Sequence, residues 1–425
     1  MPVSRRGFLR IVGADDERSA MRALLAARGH EDYQAQAQQG QTQTGRGGGA
    51  GRAGGQGGGR AGGQGGGRAA RPGPPEGVEE IKISSNENPL GPGKTVLDAI
   101  MNEFPEAGRY PFNSTPNEGK LVETIASLNK TKPENVVMGA GSQEILKSAV
   151  RAFTSPFRPL VTAAPTFENC TGLCRRLGHP VYEVKVDSQF RLNLEEMLSV
   201  VRGAGLVFLN NPNNPTATVH SLKAVQNFVE RVKRISPDTV ILIDEAYHDY
   251  VTDPAYQTAI PLALNTPNVF VARTFSKAYG MAGMRIGYAI GDADTIKPMA
   301  RLKMPYNVSV FGIGAAIAAL NDPKHIADER ARNTQVRAFT VKAFEELGCK
   351  ATDSQGNFIF VDIGRPAREF RDACANSWVQ VGRDFPPFEH SHVRVSIGTM
   401  AEMQRATTVF REVLRPVVPS GGGGR

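Results

Sequence analysis

A lysine sits in the stretch Arg273-Thr-Phe-Ser-Lys-Ala-Tyr-Gly-Met-Ala-Gly-Met-Arg285, directly after a run of β-branched and apolar residues. An amine forms an imine with a carbonyl, and it does so readily when burial and nearby cations strip its proton. Lys277 follows an apolar run and has Arg285 eight residues on, a pattern that also fits a solvated surface charge at a strand end. Asp244 closes the apolar run Val240-Ile-Leu-Ile-Asp244, where a carboxylate is costly to bury without a partner. Arg394 lies inside the alternating run His392-Val-Arg-Val-Ser-Ile-Gly398. A buried guanidinium needs an anion, and its planar fork suits a carboxylate or a phosphate. Gly139-Ala-Gly-Ser-Gln143 opens a helical pattern after an apolar run, and glycines at such a turn let backbone N–H groups reach a phosphate. Asp244-Glu245 after a strand also fits a metal carboxylate of a nucleotide enzyme. The chain has no Gly-x-x-x-x-Gly-Lys-Ser/Thr loop, which sets that reading aside.

These residues need strand ends and turns to hold them. Short apolar runs predict strands at 81–83, 136–139, 160–164, 205–210, 239–244, 268–272, 357–362 and 392–398. Helices are expected over 95–104, after Gly141, and through much of 311–347. Strands alternating with helices imply an α/β fold with a mainly parallel sheet.

At 425 residues the chain can bury a large core and is expected to hold two domains. The formal net charge is +8, but residues 1–76 carry eleven arginines against six acids, leaving about +3 for the remainder. The folded part is therefore no basic platform for nucleic acid. No stretch reaches the eighteen consecutive apolar residues of a membrane span, so no membrane partner is expected. Cys170, Cys174, Cys349 and Cys374 are too few for a disulfide framework, and no second ligand pair follows at metal-site spacing, so no metal is expected.

The start, Ser4-Arg-Arg-Gly-Phe-Leu-Arg10, is similar to a twin-arginine export signal, although Asp15-Asp-Glu-Arg18 breaks the apolar run such a signal needs. Location is left open between cytoplasm and export by that route. Arg-Ala-Gly-Gly-Gln-Gly-Gly-Gly begins at Arg52 and repeats at Arg60, with a shortened copy at Arg68. Glycine this dense predicts a flexible spacer, with RNA binding as the alternative. The segmentation is 1–77 disordered, 78–110 with 311–416 a small domain, 111–310 a large domain, and 417–425 a tail.

The lysine block resembles the Schiff-base segment of aminotransferases that use pyridoxal 5'-phosphate, in the histidinol-phosphate aminotransferase-like branch. Ser85-Asn-Glu-Asn-Pro-Leu-Gly-Pro92, Asn211-Pro-Asn-Asn-Pro215, Asp244-Glu-Ala-Tyr247 and the Arg394 run follow in the branch's order, over roughly residues 80–415. The resemblance implies a fold-type I transferase, with a large domain of mainly parallel sheet flanked by helices and a smaller α+β domain. It implies that Lys277 holds the cofactor aldehyde and that Thr274, Ser276 and Arg285 face its phosphate with Gly141, Ser142 and Gln143. Phe167 would stack on the pyridine ring, Asp244 would keep the ring nitrogen protonated, and Asn214 with Tyr247 would bond the 3'-oxygen. Tyr110 would reach the phosphate of a neighbouring subunit, making a homodimer with shared sites. Asn88, Arg383 and Arg394 would meet the substrate. Leu90 stands where some members carry tyrosine, and Ala217 where glycine is usual, so Ala217 must avoid a positive φ or accept strain. The function implied is amino transfer between an amino acid or amino-alcohol phosphate and a 2-oxo acid. A decarboxylase of the same fold, an aromatic amino acid aminotransferase and a non-catalytic RNA-binding scaffold are the alternatives.

Overall fold

The computed structural model describes residues 74–415, so the export-like start and the Gly/Arg tract lie outside the described residues. Its strands are β1 (Ile81–Ile83), β2 (Val136–Ala140), β3 (Leu160–Ala164), β4 (Val181–Lys185), β5 (Leu206–Asn210) and β6 (Val240–Asp244). They continue with β7 (Val269–Thr274), β8 (Ile286–Gly291), β9 (Lys350–Ala351), β10 (Phe358–Asp362), β11 (Val379–Val381) and β12 (His392–Ser396). Seven of them form one sheet in the order β2-β8-β7-β6-β5-β3-β4. The pairs from β7 through β4 are parallel, while β8 runs antiparallel to both β7 and β2. β5, β6 and β8 are buried along their whole length, as strands covered on both faces must be.

Alternation along β6 shows the two covers. Ile241 and Ile243 face one core with Leu121, Val161, Leu209 and Ile286. Val240 and Leu242 face the other, with Leu146, Leu160, Phe208 and Phe270. The Ser142–Phe153 helix supplies Leu146 and lies on that second face.

A third core is built on the antiparallel sheet β12-β10-β9 and the parallel pair β1-β11. It gathers Ile81, Ile83, Phe344, Ile359, Val361, Phe370, Val393, Val395 and Phe410. Two helices assigned to the small domain from sequence pack elsewhere. Val96 of helix Lys94–Asn102 and Ile313 of helix Val310–Leu320 belong to the large-sheet core. The second of these is apolar nearly all round, so no polar stripe in its sequence says which core it faces. The 84–93 segment runs between the two cores and past the end of β7. Among the described residues no helix is long and apolar enough to cross a membrane.

Candidate active site

The chemistry-bearing residues meet where parallel strands end, the usual place for a crevice in an open α/β sheet. β5 ends on Asn210 and β6 on Asp244, and β7 runs out through Thr274 into the loop that bears Lys277. That loop is the short link between neighbouring antiparallel strands β7 and β8, a connection that parallel strands could not make without a crossover.

Two adjacent acids leave β6 with opposite fates. Glu245 is fully enclosed, yet its carboxyl is held below the usual range: burial pushes it up, and the Arg273 charge with the Ala259 N–H more than offsets this. Arg273 donates to it at 2.8 and 3.1 Å, and Thr258 at 2.8 Å. Asp244 is 1% exposed, and its Oδ1 has no hydrogen-bond partner. Burial pushes its carboxyl up to about 7, against the pull of the Ala246 N–H and, more weakly, of Lys277. A buried carboxylate oxygen left bare is worth about 1–3 kcal/mol of lost stability, so it marks a place for a proton-bearing nitrogen. The Cys170 thiol is pushed up first by burial and then by the Asp244 charge.

Lys277 Nζ donates to the Ser85 carbonyl at 3.1 Å and lies 5.6 Å from the centre of the Tyr247 ring. Burial lowers its amine to about 8, and Arg394 and Arg285 add to this while Glu87 and Asp244 oppose it. Tyr247 accepts from Asn86 Nδ2 at 3.0 Å, and burial raises its phenol to about 12. Asn214 is fixed through its backbone N–H, which donates to Asn210 Oδ1 at 2.8 Å. Its own Oδ1 accepts from Arg394 Nη1 at 2.7 Å. Arg394 is 7% exposed and also donates to the Ser84 carbonyl, but its Nε is buried without a partner. Burial draws its guanidinium down to about 10.

An anion cradle stands beside the amine. Thr274 and Ser276 hydroxyls lie 2.9 Å apart, and Arg285 reaches Ser276 Oγ at 3.4 Å and the Ala140 carbonyl at 3.5 Å. Gly141 precedes the first turn of helix Ser142–Phe153 at φ 76°, and a Cβ there would sit 2.3 Å from Arg285 Nη2. Gly287 in β8 lets the same turn approach, since its Cβ would meet the Ser142 nitrogen at 2.3 Å. Ser142 is half-buried on that first turn and Gln143 exposed. Hydroxyls, a guanidinium and a helix N-terminus together suit a phosphate.

The remaining candidates are placed differently. Phe167 is half-buried against the second sheet-face core. Asn88, expected at the substrate, bonds backbone beside the lysine: Nδ2 donates to the Ala278 carbonyl at 3.0 Å and Oδ1 accepts from the Leu90 N–H at 3.0 Å. Arg383 is half-exposed and paired with Glu168. Tyr110 is 65% exposed in an aromatic cluster with Phe112 and Tyr306. Ala217 does take a positive φ, 61°, so the chain accepts the strain where glycine is usual. Asn86, Asn210 and the Ser85 carbonyl were not singled out from sequence. The first asparagine of Asn86-Glu-Asn88 was the available signal: it sits at φ 56°, a conformation asparagine tolerates, and bonds both Tyr247 and Ser396.

The chain matches aminotransferase class I and II over residues 78–410, and it belongs to that family. The histidinol-phosphate aminotransferase of Moorella thermoacetica is 34% identical over 342 residues, covering 80% of this chain and 86% of that protein. The solved histidinol-phosphate aminotransferase of Sinorhizobium meliloti, in complex with pyridoxal-5'-phosphate, is 28% identical with a TM-score of 0.73, covering 79% of this chain and 91% of that one. An L-threonine-O-3-phosphate decarboxylase from Porphyromonas gingivalis has a TM-score of 0.68 at 21% identity over 79% of this chain and 99% of its own, a likeness of fold alone. Family membership makes the chain a transaminase with pyridoxal 5'-phosphate as cofactor. Its residues fit that group: a bare buried carboxylate for a ring nitrogen, an amine lowered to about 8 for an aldehyde and a cradle for a phosphate.

Proposed function

We propose that the chain moves an amino group from a histidinol phosphate-like donor to a 2-oxo acid. The observation that carries the substrate class is a pair of guanidiniums at one ring: Arg383 lies 4.4 Å and Arg394 4.7 Å from the centre of Phe385. Two cations at that spacing favour a substrate with a strong anion, and the names of the relatives support the same class. The bound cofactor supplies an aldehyde for the donor amine and a ring that takes up the electron pair released at the α-carbon.

The chain's own residues do the rest. Lys277, with its amine lowered to about 8, takes the α-proton and returns it, as general base and then acid. Asp244 holds a proton on the ring nitrogen. Tyr247 and Asn214 bond the ring oxygen, and Phe167 backs the ring. Thr274, Ser276, Arg285 and the Gly141–Gln143 turn hold the phosphate. Arg394 grips the substrate anion with Arg383. The exposed group Tyr110, Phe112, Met304 and Tyr306 is covered by a second copy of the chain, where Tyr110 completes the partner's phosphate site.

Donor specificity tests the substrate. Purified holoenzyme is expected to give a higher kcat/KM for histidinol phosphate than for phenylalanine, with a carbonyl product and the amine on the acceptor. A preference for phenylalanine removes the phosphate substrate, and carbon dioxide with retained amine means decarboxylation.

A further inference from the structure

Glu168 follows Phe167 and stands at the N-cap position of helix Asn169–Leu177, yet its side chain does not cap that helix. The carboxylate crosses instead to Arg383, on the exposed link between β11 and β12. It accepts from Nη2 at 2.6 Å and from Nη1 at 3.3 Å. Nη1 also donates to the Asp384 carbonyl at 2.9 Å. Both outer nitrogens of the fork are thus occupied by the chain itself, on the guanidinium that shares the Phe385 ring with Arg394. Glu168 and Arg383 are each 51% exposed, so water and salt screen the pair and it is easily exchanged.

We propose that Glu168 is a specificity-determining residue, whose carboxylate holds the Arg383 fork until a substrate with a strong distal anion, a phosphate monoester, displaces it. The proposal rests on the reading of Arg383 as the site for that anion. A phosphate monoester carries close to two charges and three acceptor oxygens, against one charge and two oxygens on the carboxylate, so the exchange runs in its favour. A substrate carboxylate gains little from the same exchange. A neutral side chain leaves the pair intact and gains nothing from Arg383. Glu168 therefore sets how strongly the anion is bound and leaves the proton transfer at Lys277 alone.

The test compares holoenzyme of the parent, Glu168→Gln, Arg383→Gln and the double variant, with histidinol phosphate, phenylalanine and inorganic phosphate as a competitive inhibitor. Glu168→Gln is expected to lower KM for histidinol phosphate and the inhibition constant for phosphate by about two- to fivefold, the range set by an exposed ion pair. The gain shrinks as ionic strength rises. Values of kcat, and KM for phenylalanine, stay as in the parent. Arg383→Gln raises KM for histidinol phosphate and erases the effect of Glu168→Gln in the double variant. If Glu168→Gln leaves KM for histidinol phosphate unchanged or raises it while Arg383→Gln still raises it, the competition is overturned and the reading of Arg383 stands. If Arg383→Gln affects both substrates alike, the anion site itself is wrong and the proposal goes with it.

Discussion

Single side chains set the chemistry through how they are satisfied. Lys277 is expected to be indispensable: Lys277→Ala abolishes turnover and the borohydride-fixed attachment of cofactor to the chain, and full activity in that variant would overturn the assignment. Asp244→Asn keeps the shape but not the charge, so cofactor stays bound while the rate falls on the order of a hundred- to thousandfold. The same variant has a pH signature. Asp244 is held at about 7 in the fold, against 3.8 for an ordinary aspartate. Between those values the native chain keeps a proton that the unfolded chain has released, so this group's contribution to stability falls as pH rises through the window. Cofactor-free Asp244→Asn is therefore expected to melt level with the parent at pH 4 and several degrees above it at pH 8, read by calorimetry. Ala217, at φ 61° and fully enclosed, tests strain. Glycine there relieves about 1 kcal/mol of strain but gives up a buried methyl worth about as much, so stability barely moves. Valine, being β-branched, is expected to cost about 2 kcal/mol or more in a urea titration.

At the scale of elements, the site is a set of strand ends plus one hairpin. The strands were legible because central strands read as unbroken apolar runs: 160–164 has the same bounds in sequence and structure, and Asp244 ends its strand in both. The β7–β8 link was legible as a turn but its antiparallel exit was not, since nothing in Ile286–Gly291 encodes direction. Asn88 bonds the Ala278 carbonyl across 190 positions, a contact that no local pattern in its turn encodes. Glu168 and Arg383 lie 215 positions apart, and no local pattern joins them. At Gly141 two elements approach closely. Gly141→Ala adds a Cβ at an unfavourable φ, 2.3 Å from Arg285 Nη2, and is expected to weaken cofactor binding at least tenfold. Equilibrium dialysis reads that directly, and unchanged affinity would show the turn is not the phosphate seat.

For the whole molecule, the exposed aromatic cluster is the feature a lone chain leaves unexplained. Tyr110, Phe112, Met304 and Tyr306 are each more than half exposed, and apolar side chains gathered this way mark an interaction surface. Met304→Glu is expected to shift a dimer to monomer in a sedimentation dilution series and to lower activity with it; a fully active monomer would end the shared-site reading. Removal of residues 1–76 is expected to leave both assembly and activity unchanged, because its glycine-dense sequence has no core-forming period. The thiols then offer a way to watch the molecule breathe. Cys170, Cys174 and Cys374 are buried and unpaired, and only Cys349 is partly open to water. Alkylation in the native state should therefore label Cys349 quickly. Cys170, near enough to Asp244 for its thiol to feel that charge, should be labelled only when the sheet opens there. Its labelling rate, with and without cofactor, measures how much of the ligand's binding energy goes into holding that region shut.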